Sequence, residues 1–279
     1  MKEQVLDSLP SMLGLYIKAA RKKGHTGEWP ELSVTIPGVR ADSAVIRNYE
    51  KVCRFPKSRF LPPTLLHILS FPLQMELVTH PSMPLKPMGM VHVRNTIRQY
   101  RPVEKGELLH IECTLGECRS VEVGLEFDVF VRIHAGGELV WESESTNLSR
   151  QKPSGGNKKK AEPPENLGIV QTWALPSSLG RKYGAVSGDR NPIHLWPMTA
   201  RMLGFKRHII HGMWSKARCL AALMPEVGEK PFEFSVSFKT PVYLPSRVEF
   251  SHESCEEGIT MLLRSPSGRP HLTGDIRFL

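Results

Sequence analysis

Tyr183-Gly184-Ala185-Val186-Ser187-Gly188-Asp189-Arg190-Asn191-Pro192-Ile193-His194 sets a carboxylate and an imidazole five residues apart. Gly188 and Asn191-Pro192 break helical periodicity, so the stretch reads as non-helical and able to turn both side chains to one side. Eighteen residues past His194 comes Gly212, in His211-Gly212-Met213-Trp214, where an apolar helical pattern begins. An acid–base pair ahead of a helix start with a bare glycine amide points to proton-transfer chemistry beside an oxyanion pocket.

Around this segment the chain repeats itself. Val236-Ser237-Phe238-Lys239-Thr240-Pro241-Val242, followed by Arg247-Val248-Glu249-Phe250, echoes Ile97-Arg98-Gln99-Tyr100-Arg101-Pro102-Val103 with Leu108-Leu109-His110-Ile111, at a constant offset of 139 residues. Further alternating stretches follow in each half, at residues 121–133 and 139–145, then 259–264 and 271–278, which reads as two antiparallel meanders. One helical pattern precedes each. The first starts at Leu61-Pro62-Pro63-Thr64 and is interrupted early by Pro72; the second runs from His211-Gly212 to Pro225. A lone helix before a long antiparallel sheet, used twice, predicts an α+β fold of two side-by-side units, each a helix wrapped by a sheet. Met213, Leu220 and Met224 fall at core spacing, and His92 and His110 on strand patterns that need no chemical role.

Residues 151–166, rich in Gly, Pro and Lys and including Lys158-Lys159-Lys160, read as an exposed linker. They divide the chain into an N-terminal unit, 1–150, and a C-terminal unit, 167–279.

Composition narrows the class. The chain has 279 residues, 40% hydrophobic and 23% charged, with no apolar run long enough to cross a bilayer and no secretory h-region at its start. Five cysteines without a close pair predict reduced thiols in a cytoplasmic protein, with no metal site. The net charge of +9 is scattered, without a basic stripe interleaved with aromatics, so a phosphate-bearing small substrate is expected and nucleic acid is not.

The run from Tyr183 to His194, continued by Ala200 and His211-Gly212-Met213, resembles the hydratase motif of the MaoC-like dehydratases and (R)-specific enoyl-CoA hydratases. Val236 to Val242 looks like the strand that follows the central helix in that family. The resemblance implies a double hot-dog fold with one catalytic repeat. Tyr49-Glu50-Lys51-Val52-Cys53-Arg54-Phe55, where the first half would carry the motif, has no Gly-Asp and no following histidine. The first repeat is therefore expected to be degenerate. Ile193-His194-Leu195-Trp196-Pro197-Met198-Thr199-Ala200-Arg201 looks closest to the bacterial two-repeat 3-hydroxyacyl-thioester dehydratases, with His208 and Trp196 as departures beside the acyl pocket.

The implied reaction is dehydration of a (3R)-hydroxyacyl thioester to a trans-2-enoyl thioester, or the reverse hydration, without metal or redox cofactor. The acyl group would ride on coenzyme A or on the phosphopantetheine of acyl carrier protein. Asp189 and His194 would handle the protons, and the backbone N–H of Gly212 would face the thioester oxygen. Asn191 would position the pair or the thioester. Tyr183 and Ser187 would support the loop, where the substrate passes, and Arg190, Lys206 and Arg207 would meet phosphates of the handle. His211 reads as structural. A hot-dog acyl-CoA thioesterase is the second reading, but residues 213–223 offer no acid to direct water at a carbonyl. A non-catalytic thioester-binding subunit is the third. A monomer or a homodimer is compatible with two units packed on each other, and no membrane partner is expected.

Overall fold

The computed structural model of the chain describes residues 2–150, 167–168 and 171–279; the linker expected at 151–166 lies outside them. Alternating apolar residues in β3 (Val91–Gln99) and β8 (Phe232–Phe238) send Ile97, Phe232, Phe234 and Val236 into the core. The two strands pair antiparallel with Thr96 opposite Ser235. These residues are 139 apart in the chain, and their hydroxyls lie 3.0 Å from each other. A residue that pairs across an antiparallel ladder with its own repeat equivalent marks a pseudo-two-fold axis, so the two units are joined edge to edge at this point.

The first unit contains β2 (Leu32–Val39), α2 (Ser43–Cys53), α3 (Pro63–Thr79), β3, β4 (Leu109–Val121), β5 (Gly124–Ala135) and β6 (Glu138–Arg150). The second contains β7 (Gln171–Leu175), α4 (Leu179–Ser187), α5 (Pro192–Leu195), α6 (Pro197–Met202), α7 (Gly212–Val227), β8, β9 (Ser246–Ser254), β10 (Gly258–Arg264) and β11 (Pro270–Phe278). Ahead of both come β1 (Lys2–Val5) and α1 (Met12–Arg21), which have no counterpart in the second unit. All eleven strands form one sheet, in the order β1-β2-β4-β5-β6-β3-β8-β11-β10-β9-β7. This is the double hot-dog expected, with one refinement. Neither unit is a plain meander, because its first long strand folds back beside its last, β3 on β6 and β8 on β11. That return places β3 and β8 at the centre, where they can pair.

The central helices are α3 and α7. Twelve residues of α3 are buried, on all sides, as expected of a helix enclosed by a sheet and its partner helix. Pro72 does not end it: the helix continues to Thr79. A proline removes one N–H and crowds the preceding turn. Burial on both sides of the proline, at Ser70 and Leu73, holds the helix together past it. Pro225 is likewise inside α7, which ends at Val227. The five cysteines are unpaired, with Cys53, Cys113 and Cys219 buried as expected. Among the described residues no helix is long and apolar enough to cross a membrane.

One buried cation fastens the units together. Lys216 of α7 is fully buried, and its ammonium donates to Asn95 O at 2.9 Å, Asn95 Oδ1 at 2.6 Å and Phe234 O at 2.8 Å, on the two central strands. Burial pushes its pKa well down, but three acceptors match the three N–H bonds of the charged form. Lys216→Ala is expected to cost about 3 kcal/mol in urea denaturation, because it strands buried acceptors; a cost below about 1 kcal/mol would show that the latch is not needed.

Candidate active site

Local structure explains how the Tyr183–His194 segment is shaped. It is more helical than its glycines suggested. Residues up to Ser187 belong to α4, which Gly188 closes in the left-handed region at φ 74°. After a four-residue loop, α5 begins with Asn191 as its cap, Oδ1 accepting from Ile193 N, and Pro192 in the first turn. Only residues 188–191 are non-helical. The loop lies directly on α4. A Cβ at Gly180 would sit 2.2 Å from His194 O, and one at Gly184 would sit 2.8 Å from Asp189 O. These glycines, one turn apart, leave a bare helix face on which the backbone of the loop packs.

This seat brings Asp189, His194 and His211 together, with a carboxylate oxygen and one ring nitrogen of each histidine within 4.8 Å of one another. The rings of His194 and His211 stack at 3.7 Å and 24°. His194 Nδ1 donates to Ile209 O at 2.9 Å, which fixes the tautomer of the neutral ring and leaves Nε2 as the proton acceptor. His211 Nε2 donates to Asp189 O at 2.9 Å and is 3.8 Å from Asp189 Oδ2. The carboxylate is held by its own loop and by α1. Oδ1 accepts from Asn191 N at 3.1 Å and from the Tyr16 hydroxyl at 3.0 Å. Ser187 Oγ in turn accepts from Asp189 N at 3.2 Å.

Electrostatics set the protonation states. Burial pushes the His194 pKa below its ordinary value, only partly offset by the Asp189 charge and the bond to Ile209. Burial and the neighbouring His194 bring His211 down to about 3. For Asp189, burial acts upward, but His211, His194, the Asn191 amide and the Tyr16 hydroxyl together hold it below the usual carboxylate range. Near neutrality the site thus contains an anionic carboxylate and two neutral imidazoles.

Beside them starts α7. Its cap residue His211 is extended, at φ −63° and ψ 138°, and no side chain caps the helix. The first amides, from Gly212 onward, carry the positive end of the helix dipole next to the stacked rings. A Cβ at 212 would stand 2.9 Å from the Phe238 ring, so Phe238 leaves little room for a side chain there.

The same three ionisable groups are the one cluster of potential cation ligands among the described residues. An imidazole lone pair lies in its ring plane, and two stacked rings direct theirs side by side rather than at one ion. The set suits proton transfer better than coordination.

The model for the MaoC like domain matches residues 160–261. Over 260 residues, 91% of this chain and 92% of the relative, the sequence is 30% identical to 3-hydroxyacyl-thioester dehydratase X of Mycobacterium tuberculosis. The chain belongs to the MaoC-like dehydratases. Its backbone superimposes on the crystal structure of HtdX from the same organism with a TM-score of 0.80 at 30% identity, covering 88% of this chain and 99% of the other. A shorter match, 34% identical over 83 residues, covers 29% of this chain and 49% of the mitochondrial 3-hydroxyacyl-[acyl-carrier-protein] dehydratase of Arabidopsis thaliana.

Within this MaoC-like frame the motif residues are distributed unevenly. Asp189 and His194 converge, and Asn191 and Ser187 build the loop that carries Asp189. Tyr183 is fully buried behind the site, its ring 4.8 Å from His211 and 6.1 Å from Tyr49 of the first unit. Arg190, Lys206 and Arg207 are exposed at or near the motif, and Arg207 lies 6.0 Å from the Tyr243 ring. His208 is buried and anchors the chain before α4, Nε2 donating to Ser177 O at 2.9 Å. His211, read as structural, stands inside the cluster. Its place just before Gly212 was the signal, since whatever precedes the helix start must border the amides. Tyr16 carried no signal, for α1 meets the motif across more than 170 residues of chain.

Two outcomes follow from this packing. Gly212→Ala should destabilise the fold by about 1–3 kcal/mol in urea denaturation through its clash with Phe238, whereas Val186→Ala, on a half-buried position of α4, should cost less. Second, acid should unfold the protein early. His67, His92 and His211 are depressed to about 3, 4 and 3, with burial the largest cause in each. Below the unfolded pKa near 6.5 the unfolded chain takes up protons that the folded one refuses. Stability measured by urea titration should therefore fall as pH drops from about 6.5 toward 4, by up to about 1.4 kcal/mol per pH unit for each histidine. A flat profile over that range would contradict neutral burial.

Proposed function

We propose that this protein interconverts 3-hydroxyacyl thioesters of fatty acyl metabolism with trans-2-enoyl thioesters, acting on the (3R) isomer, and that Asp189, His194 and the Gly212 amide carry the chemistry. The observation that bears this reading is an anionic carboxylate and an unprotonated imidazole nitrogen sharing one small space beside an uncapped helix start. In hydration, a water between Asp189 Oδ2 and His194 Nε2 gives its proton to the pair as its oxygen bonds to Cβ. The pair returns a proton to Cα, so the dyad ends as it began. Charge that builds on the thioester oxygen meets the Gly212 N–H, a donor whose loss typically costs about 3 kcal/mol of barrier. Dehydration runs the same path backwards.

Similarity to a 3-hydroxyacyl-thioester dehydratase and to an acyl-carrier-protein dehydratase supports thioesters as the substrate class. Exposure of Arg190, Lys206 and Arg207 close to the motif supports their meeting phosphates of a coenzyme A or phosphopantetheine handle. The thioesterase reading has no support in the central helix. The acid of α7, Glu226, is at its far end, half-exposed and bound to His252 and Ser254.

A spectrophotometric hydration assay on crotonyl-CoA and longer trans-2-enoyl-CoA tests the proposal. Wild-type protein is expected to consume the enoyl absorbance, and Asp189→Asn and His194→Ala each to lose at least about 100-fold in kcat with circular dichroism unchanged. Release of free thiol in place of enoyl loss would replace this reading with hydrolysis.

A further inference from the structure

We infer that Tyr16, on the helix α1 that stands outside the repeat, is a positioning residue of the active site, turning one carboxylate oxygen of Asp189 away from the chemistry and leaving the other to face it. The inference rests on Asp189 belonging to the acid–base pair.

The phenol has two partners, and both lie on the catalytic loop. It donates to Asp189 Oδ1 at 3.0 Å and accepts from the Arg190 backbone N–H at 2.8 Å. Asn191 N donates to the same Oδ1 at 3.1 Å. Two donors on Oδ1 hold the carboxyl group at a fixed rotation, and Oδ2 is the oxygen turned to the histidines, 3.8 Å from His211 Nε2. A single loop amide would leave the group free to swing; the second donor, arriving from another element, fixes it. Burial and the Asp189 charge raise the Tyr16 pKa far above its ordinary value, so the hydroxyl stays a donor throughout the working pH range.

Helix α1 is itself held firmly. Leu15 and Ala19 are buried, Lys18 Nζ bonds Glu76 of α3 at 2.8 Å, and Lys22 Nζ donates to His80 O at 2.8 Å. Met12, one turn before Tyr16, packs on Gly188, where a Cβ would stand 3.2 Å from its Cγ. The loop that carries Asp189 is therefore gripped between α4 on one side and α1 on the other. Through α3, α1 ties this loop to the degenerate unit.

Titration of Asp189 gives a readout that mere structural support would not move. The ionisable groups around it are Tyr16 from α1, His194 from α5, His211 ahead of α7 and Arg190 next in the chain, with Tyr183, His67 and His92 farther off. Tyr16→Phe removes one donor to the ionised form and leaves the others, so the carboxyl pKa must rise. In the full-length enzyme the expected result is a fall in kcat of about tenfold with KM within about twofold. The acid limb of the kcat/KM profile should move up by roughly half to one pH unit, and carbon-13 NMR should show the same upward shift in the Asp189 carboxyl titration. Leu13→Gln, on the exposed side of α1, should leave all three unchanged. A Tyr16→Phe enzyme with a lower melting temperature but an unmoved acid limb and unmoved Asp189 titration would overturn the inference. Should the wild-type enzyme prove inactive on enoyl thioesters, the proposed reaction falls, and the NMR titration alone decides Tyr16: a shift upholds its grip on Asp189, and no shift overturns it.

Discussion

The carbonyls of Asp189 and His194 rest on a face of α4 from which side chains are missing, because Gly180 and Gly184 stand one turn apart. A Cβ at either position would meet one of those carbonyls at 2.2 or 2.8 Å and force the segment outward, and the geometry of the site would go with it. His194 would leave its bond to Ile209 O, and Asp189 its bonds to Tyr16 and His211. The position of both groups thus rests on close contact between α4 and the backbone of the segment that follows it. The segment from Asp189 to His194 lies against α4, with α1 closing on Asp189 from the other side.

The pseudo-two-fold axis between Thr96 and Ser235 explains why one chain needs both units although only one bears the motif. Pairing of β3 with β8 makes a continuous sheet, and Lys216 binds acceptors on both of those strands from within the second unit's helix. The first unit backs the site as well. Tyr49 faces Tyr183 across the junction, and Trp214 Nε1 donates to Val52 O at 3.1 Å. His92 lies against Phe238, the ring that keeps position 212 bare. The first unit, which lacks the Gly-Asp-x-Asn-Pro-x-His pattern, supplies surfaces that wall the other.

Much of this was legible in the residues. Period-two alternation separates strands from helices because successive side chains of a strand face opposite ways. The constant offset of Ile97 and Val236 announced the repeat. Asp189, His194 and the glycine helix start were legible as a constellation because each is close in sequence to the turn that places it. Where reading failed, nonlocal contacts had decided. Pro72 sits inside a helix because burial along α3 outweighs what a proline takes away, and Pro225 stands two residues before the end of α7. The stretch from Tyr183 to Ser187 is helical because α4 has to pack under the loop. His211 looked like a spacer until its ring was found stacked on His194.

By itself the sequence determined the α+β class, the twofold repetition and the family, and it marked out the carboxylate, the imidazole and the helix start. These follow from local periodicity and short spacings, which backbone geometry converts directly into direction. The tertiary structure alone decided which strands meet, that Phe238 crowds position 212, and that a tyrosine from the first helix grips Asp189. Those are contacts between residues far apart in the chain, set by which surfaces can be buried against each other, and no local pattern records them.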